Sequence, residues 1–416
     1  MKRLAPRPRG TIGIVDIGTS KVCCFIARRE DREPRIIGIG HQVSRGVRNG
    51  IVVDIDAASQ SILAAVHAAE QMAGETLGEV VANLSGGFAG SRIIKTEINL
   101  NGREITDTDM RRVLDQGHLL KEPPEREVIH SIPVGFSVDQ SRGIRDPRGM
   151  YGQRLGVNMH LVTASAGAVR NLATCIGRCH LDIGAVVVSP YAAGLASLVE
   201  DETDLGVTVL DMGGGTTGIA VFFDGNLVFA DSVPVGGGHV TNDIARGLST
   251  PIAHAERMKT LYGSAIASLA DEREVINVPQ VGEEDEGQAN HVPKSLLIGI
   301  IAPRLEETFE LVRDRLDASG FDKIAGRRVV LTGGASQLPG TRELAALILD
   351  KQIRSGRPLR IDGLAEAMAG PAFATSAGLV HFALSERAET PRRGRALTEE
   401  PGGLFVRVGH WIKENF

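Results

Sequence analysis

The feature that most constrains this 416-residue chain is a repeat. IGIVDIGTSKVCCF at 12–25 and VTVLDMGGGTTGIAVF at 207–222 share one frame: apolar strand, aspartate, one apolar residue, glycine, small hydroxyls, apolar strand. The copies lie about half the chain apart, which predicts two related domains facing each other. A chain of this length also exceeds one ordinary core. Abundant glycine and scarce aromatics suit an α/β protein with many turns.

The spacing predicts strands at 11–29 around a tight turn, a helix over 54–73 and a strand at 79–84. On that helix Ile55, Ile62, Leu63, Val66, Ala69 and Met72 form the apolar face. Residues 86–162 then carry their own mixture of strands and a helix, punctuated by Pro123-Pro124 and Asp146-Pro147, and read as an inserted α/β subdomain. A helix at 166–179, a strand at 184–188 and a helix at 191–199 precede the second copy of the repeat. A long helix over 295–317 carries a stripe of Leu296, Ile300, Leu305, Phe309, Val312 and Leu316, with Pro303 bending it. RVVLTGGASQLPG at 328–340 is a third strand and turn. Cys23, Cys24, Cys175 and Cys179 read as buried reduced thiols. A net charge of −5 gives no basic field for nucleic acid. No secretory signal or membrane-spanning stretch is expected, so the body of the protein is expected in the cytoplasm.

Three glycine-rich turns, DIGTSK, DMGGGTTG and TGGASQLPG, each follow a buried strand. Glycine lets backbone N–H groups approach a phosphate, and neighbouring hydroxyls add donors. A carboxylate beside a phosphate cradle needs a cation between them. Asp16 and Asp211 are therefore expected to hold Mg²⁺ through water. Neither a P-loop nor a Rossmann fingerprint in its proper context is present.

This arrangement resembles the actin, Hsp70 and sugar-kinase superfamily, in which two RNase H-like domains close over ATP. Within it the chain is most similar to the FtsA family of bacterial cell-division proteins. IVDIGTSKV, LDMGGGTTGIAVF, GGGHVTNDIARGL followed by AERMK, and LTGGASQLPG carry the match, as does the position of the 86–162 insert. The resemblance implies an actin-like ATPase fold. Subdomain 1A would be 10–85 and 163–205, with 371–385 returning to it, and 86–162 the FtsA-type inserted subdomain 1C. Subdomain 2A would be 206–246 and 328–370, and 247–327 subdomain 2B. By the same resemblance Gly18, Thr19, Ser20 and Lys21 would meet the β- and γ-phosphates of ATP from one side. Gly213, Gly214, Gly215, Thr216 and Thr217 would meet them from the other, with Gly236, Gly237 and Gly238 close by. Glu256 and Lys259 would reach ribose and adenine, and Gly333, Gly334 and Ala335 would pack on the adenosine. Related ATPases carry Glu-Pro-x-Ala-Ala where this chain has Ser189-Pro190-Tyr191-Ala192-Ala193. Serine cannot act as a carboxylate base, so ATP binding with slow or negligible hydrolysis is expected.

Residues 386–401 read as a flexible linker and 402–416, GGLFVRVGHWIKENF, as a C-terminal amphipathic helix. At 100° per residue Leu404, Phe405, Val408, Trp411, Ile412 and Phe416 fall within an arc of about 140°. Arg407 and Lys413 lie opposite, where they favour anionic lipid. By the resemblance, the protein would polymerise on the inner face of the cytoplasmic membrane at the division septum. There it would tether FtsZ through that protein's C-terminal tail and recruit late division proteins. The tail would dock on 247–327, with Arg304 a candidate contact. The rival readings are an FtsA-like scaffold of another membrane machine, such as PilM, and a small-molecule kinase or Hsp70-type ATPase.

Overall fold

The computed structural model describes residues 10–29, 34–87, 89–118, 122–282, 290–359 and 361–385. The linker and the 402–416 helix expected from the sequence lie outside them. The chain opens with β1 (Thr11–Ile17), β2 (Lys21–Arg29) and β3 (Pro34–Val43), then β4 (Val47–Arg48), β5 (Ile51–Val52), α1 (Ile55–Ala73) and β6 (Glu79–Leu84). The insert follows as β7 (Gly90–Asn99), α2 (Asp107–His118), β8 (Arg126–Val138), β9 (Ser141–Ile144) and β10 (Arg154–Ser165). Next come α3 (Ala166–Arg178), β11 (Asp182–Val188), α4 (Ser189–Ser197) and α5 (Glu200–Leu205). The second half starts with β12 (Val207–Met212), β13 (Thr217–Phe223) and β14 (Asn226–Val233), then α6 (Gly237–Gly247), α7 (Ile252–Tyr262), β15 (Val275–Val278) and β16 (Asn290–Pro293). It finishes with α8 (Lys294–Ser319), β17 (Arg328–Thr332), α9 (Thr341–Leu349), β18 (Gln352–Ser355) and α10 (Ala374–Leu384).

The repeat is real in three dimensions. The two five-stranded sheets run β3-β2-β1-β6-β11 and β14-β13-β12-β17-β18, each an antiparallel meander extended by two parallel strands. Buried apolar strand residues explain the pattern: Ile14, Val15 and Phe25 in one sheet, and Val209, Leu210 and Ile219 in the other, are fully inaccessible. The insert makes its own four-stranded sheet, β7-β10-β8-β9, over a separate small core of Leu155, Val157, Met159 and Val113. β10, its central strand, was not visible in the sequence as an element.

Two helix faces differ from the expected stripes. On α1 the buried face is Ala58, Ser61, Ile62, Ala65, Val66 and Ala69, whereas Leu63 and Met72 are 43% and 61% exposed. Close approach selects the small residues: a Cβ at Gly40 would stand 1.8 Å from the Ala65 carbonyl, and one at Gly38 2.3 Å from that of Ala69. On α8 the buried row is Leu297, Ile301, Leu305, Phe309, Val312 and Leu316. Leu296 and Ile300 are one position out of this 3.6-residue period; Ile300 instead faces Gly247 of α6, and Leu296 is exposed.

The two halves are latched on the edge away from the cleft described below. Glu202 of α5 is buried and accepts from Arg354 of β18 at 2.7 Å, with a second, shorter contact to the same guanidinium. Arg354 also donates to the Ser197 carbonyl at 2.8 Å. Burial pushes the Glu202 carboxyl up. The Arg354 hydrogen bonds, the Val199 N–H and the two arginine charges more than reverse this, so its pKa lies below the ordinary glutamate value. A depressed carboxylate contributes stability that is full above its unfolded pKa and is lost as pH falls through the folded one. Glu202→Gln is expected to destabilise the protein at pH 7 by about 2 kcal/mol in denaturant unfolding, with the difference vanishing in acid.

Candidate functional site

The turn after β1 and the turn after β12 are built alike. Gly18 N–H donates to the Lys21 carbonyl at 2.9 Å, and Gly213 N–H to the Thr216 carbonyl at 2.8 Å. The turns face each other so closely that a Cβ at Gly214 would stand 2.0 Å from Ser20 Oγ, and one at Gly215 2.4 Å from Thr19 Oγ1. Glycine is required at 215, where a Cβ would also stand 2.9 Å from the Asn49 backbone. The start of α6 closes over the second turn: Gly237 and Gly238 donate to the Gly213 and Gly214 carbonyls at 2.9 and 2.7 Å. The third turn begins at Gly333, whose φ of 85° is a left-handed conformation that favours glycine.

These elements enclose a cleft of about 700 Å³ between the two halves, a size suited to a small-molecule cofactor. Its wall brings together Asp16, Gly18, Thr19, Ser20, Lys21, Asp211, Gly213, Gly214, Gly215, Thr216, Gly237, Gly238, Glu256, Lys259, Gly333, Gly334 and Ala335. Two candidates stand behind the wall. Thr217 is inaccessible and gives its hydroxyl to the Val235 carbonyl at 2.8 Å. Gly236 packs on the second turn, where a Cβ would lie 2.5 Å from the Gly213 carbonyl. Glu256 and Lys259 pair at 2.7 Å on α7, and Lys259 also reaches Thr241 Oγ1 at 2.9 Å and the Gly237 carbonyl at 3.2 Å. The pair is therefore tied to the α6 wall of the cleft rather than free on the surface.

At the base lie the two aspartates, one from each half. Asp16 accepts from Asn83 Nδ2 at 2.9 Å and from Ser376 Oγ at 2.6 Å. Asp211 accepts from Thr375 Oγ1 at 3.0 Å. Burial raises both pKa values. For Asp16 the Lys21 charge and the Ser376 hydrogen bond oppose the rise. Asp211 is pushed up to about 6, chiefly by burial and secondarily by the Asp16 charge, against the Thr375 hydrogen bond and Lys21. Two carboxylates that face one cleft and share the charge of one lysine are a fitting donor set for a hard divalent cation. No cluster of three or more His, Cys, Asp or Glu placed to hold a metal occurs among the described residues. Mg²⁺ held by Asp16 and Asp211 would thus take its remaining oxygen ligands from water and from a phosphate ligand, neutralising phosphate charge. Protons compete for the same carboxylate, so cation-dependent ligand binding is expected to weaken as pH falls through about 6, read by titration calorimetry.

Several residues of the site escaped the sequence reading. Thr375 and Ser376, in the first turn of α10, bridge the aspartates of the two halves; the adjacent hydroxyls in ATSAGL are their only sequence signal. Ser85 lines the cleft and shares a hydrogen bond with Ser189 at 2.7 Å, while Asn83 Nδ2 reaches Ser189 Oγ at 3.0 Å. Ser189 is thus engaged at the end of β11 in a hydrogen-bonded network that runs through Asn83 to Asp16. Lys21 contacts the Ala372 carbonyl and stands 3.7 Å from the centre of the Phe373 ring.

The family models described as "Cell division protein FtsA" and "SHS2 domain inserted in FTSA" match residues 208–378 and 88–163. The Cell division protein FtsA of Rhizobium meliloti is 46% identical over 432 aligned positions, covering 100% of this chain and 98% of that protein. The chain belongs to the FtsA family. FtsA of Neisseria meningitidis is 36% identical, covering 97% of this chain and 98% of the relative. FtsA of Escherichia coli K12 is 31% identical, with 97% of both covered. Among solved structures, the PilM-PilN type IV pilus biogenesis complex aligns with a TM-score of 0.63 at 19% identity, covering 91% of this chain and 100% of that one. MreB 5 of Spiroplasma citri bound to AMPPNP aligns at 0.52 and 14% identity, covering 91% and 96%. The fold is the actin-like ATPase fold carrying the SHS2 insertion that marks FtsA. In this FtsA-family chain Arg304 is already engaged, to Asp243 at 2.5 Å across to α6 and to Glu307 on its own helix. No helix of the described residues is long and apolar enough to cross a membrane.

Proposed function

We propose that this chain binds Mg-ATP in the cleft, polymerises on the inner face of the cytoplasmic membrane, and tethers FtsZ filaments at the division site while recruiting later division proteins. The observation that carries this is the convergence of three glycine turns and two aspartates, Asp16 buried and Asp211 half-buried, on one cleft between repeated halves. Backbone donors from both halves would meet the same phosphates, so ligand binding would bias domain closure. Family membership supports the cell-division role, and the amphipathic 402–416 sequence supports membrane attachment. A pilus-scaffold role is less favoured because the full-length relatives at 31–46% identity are FtsA proteins. A phosphotransferase would need a carboxylate aimed at a substrate hydroxyl; position 189 is a serine, hydrogen-bonded to Asn83 and Ser85 instead.

The proposal is tested by cosedimentation of FtsZ with anionic liposomes. Recovery of FtsZ in the lipid pellet should require this protein and ATP; recovery that ignores both would contradict it. Ser189→Ala is expected to change ATP turnover by less than about twofold, because no general base is removed. A larger fall, measured by phosphate release, would make Ser189 part of a hydrolytic site.

A further inference from the structure

His130 and His160 are fully buried and lie outside the cleft. They occupy neighbouring strands of the insert: His130 pairs with Val162, and His160 with Ile132, in the β8–β10 ladder. Positions two apart on a strand share a face, so the rings are diagonal neighbours on one side of the sheet, within side-chain reach. A different half of the molecule fixes each ring. His130 Nε2 lies 3.1 Å from the Val188 N–H of the first half. That group can only donate, so Nε2 accepts and the proton of the neutral ring sits on Nδ1. His160 Nδ1 lies 2.9 Å from the Leu227 carbonyl of the second half. That group can only accept, so Nδ1 carries the proton and Nε2 is bare. Burial keeps both rings neutral near pH 7, lowering His130 to about 3 and His160 to about 4.

The nitrogens left over are complementary. His130 Nδ1 is a donor and His160 Nε2 an acceptor, and neither has a protein partner among the described residues. Two unmet polar groups of opposite kind, on diagonal neighbours of one buried sheet face, are costly apart and would be satisfied together by one enclosed water. We propose that His130 and His160 are joined through one such water into a single hydrogen-bonded chain running from the Val188 N–H to the Leu227 carbonyl. The chain crosses from β11 through the insert to β14. It ends at Val188, whose neighbour Ser189 belongs to the network at the cleft floor. The two histidines are positioning residues. They pin the insert to both halves at once, so a shift between the halves must stretch the chain or carry the insert with it. This last consequence rests on nucleotide binding in the cleft.

Histidine ¹⁵N NMR and amide exchange on the full chain test the proposal. His160→Asn keeps a donor for Leu227 but lacks Nε2; His130→Gln keeps an acceptor for Val188 but lacks Nδ1–H. Both rings of the native protein are expected as Nδ1–H tautomers. His160→Asn should speed exchange at the Val188 amide by about tenfold, and in the His130→Gln background should add nothing. An Nε2–H tautomer in either ring, additive effects or unchanged Val188 exchange would overturn the link. If a variant does not fold, a nuclear Overhauser contact from a slowly exchanging water to His130 Nδ1–H in the native protein decides the matter; its absence overturns the link. A fluorescent ATP analogue with Mg²⁺ supplies the second arm, where His160→Asn should weaken binding by about threefold without touching the cleft. Unchanged affinity overturns the coupling to the cleft. If the native protein binds no analogue, the nucleotide reading fails while the NMR result still judges the histidine chain.

Discussion

Removing residues 402–416 is expected to lower binding to anionic vesicles by about a hundredfold for the assembled protein, and by much less for the monomer. Six apolar side chains on the expected helix, Leu404, Phe405, Val408, Trp411, Ile412 and Phe416, would gain about 1.5–3 kcal/mol each if fully buried. Insertion into an interface is partial, and association costs an estimated 4–15 kcal/mol, as well as the ordering of the helix. One tail therefore holds weakly, and a polymer presenting many holds strongly. Arg407 and Lys413 add attraction to anionic headgroups that salt screens, so monomer binding should fall between low and physiological ionic strength. Trp411 is the only tryptophan in the chain, so its emission reports insertion directly. A blue shift on adding anionic vesicles is expected. No shift, or full vesicle binding by the truncated protein, would contradict membrane attachment through 402–416.

Gly333→Ala is expected to weaken Mg-ATP binding by about a hundredfold or more, measured by titration calorimetry. The position has φ of 85°, and a Cβ there would stand 2.5 Å from the Met212 carbonyl and 2.6 Å from Asp211 Oδ1. The side chain must displace either the third turn or the aspartate expected to serve the cation. Gly334 is the control. It also lines the cleft, yet its Cβ would meet only Ala372 Cβ at 3.8 Å. Gly334→Ala should stay within about threefold of the native affinity. Equal losses at both positions would mean that cleft volume, and not the geometry around Asp211, governs binding.

The repeat and the three glycine turns were legible because they are local: strand, aspartate and glycine follow one another within a few residues. Much of the cleft wall could therefore be named, the turns from their own pattern and Glu256 and Lys259 by the resemblance, while Ser85, Val240, Leu305 and Ala372 were not. What was missed comes from distant chain segments. Thr375 and Ser376 lie more than 160 positions from the aspartates they serve, and nothing local marks a pair of hydroxyls at a helix start. The buried face of α1 was misjudged because the glycines of β3 draw in small alanines and leave larger residues outside. Periodicity alone cannot report that. Arg304 was named only as a candidate contact, because its ion pair to Asp243 joins two helices and leaves no local signal. The histidines of the insert carried no motif at all; only the ladder register and the backbone groups around them give them a role.

In the proposed function, ATP in this cleft controls assembly on a membrane. Electron microscopy of the full-length protein on anionic lipid monolayers, with and without Mg-ATP, tests it most directly. Ordered filaments are expected with Mg-ATP, and none, or only sparse ones, without it or with Gly333→Ala. Filaments that form equally in all three conditions would contradict it.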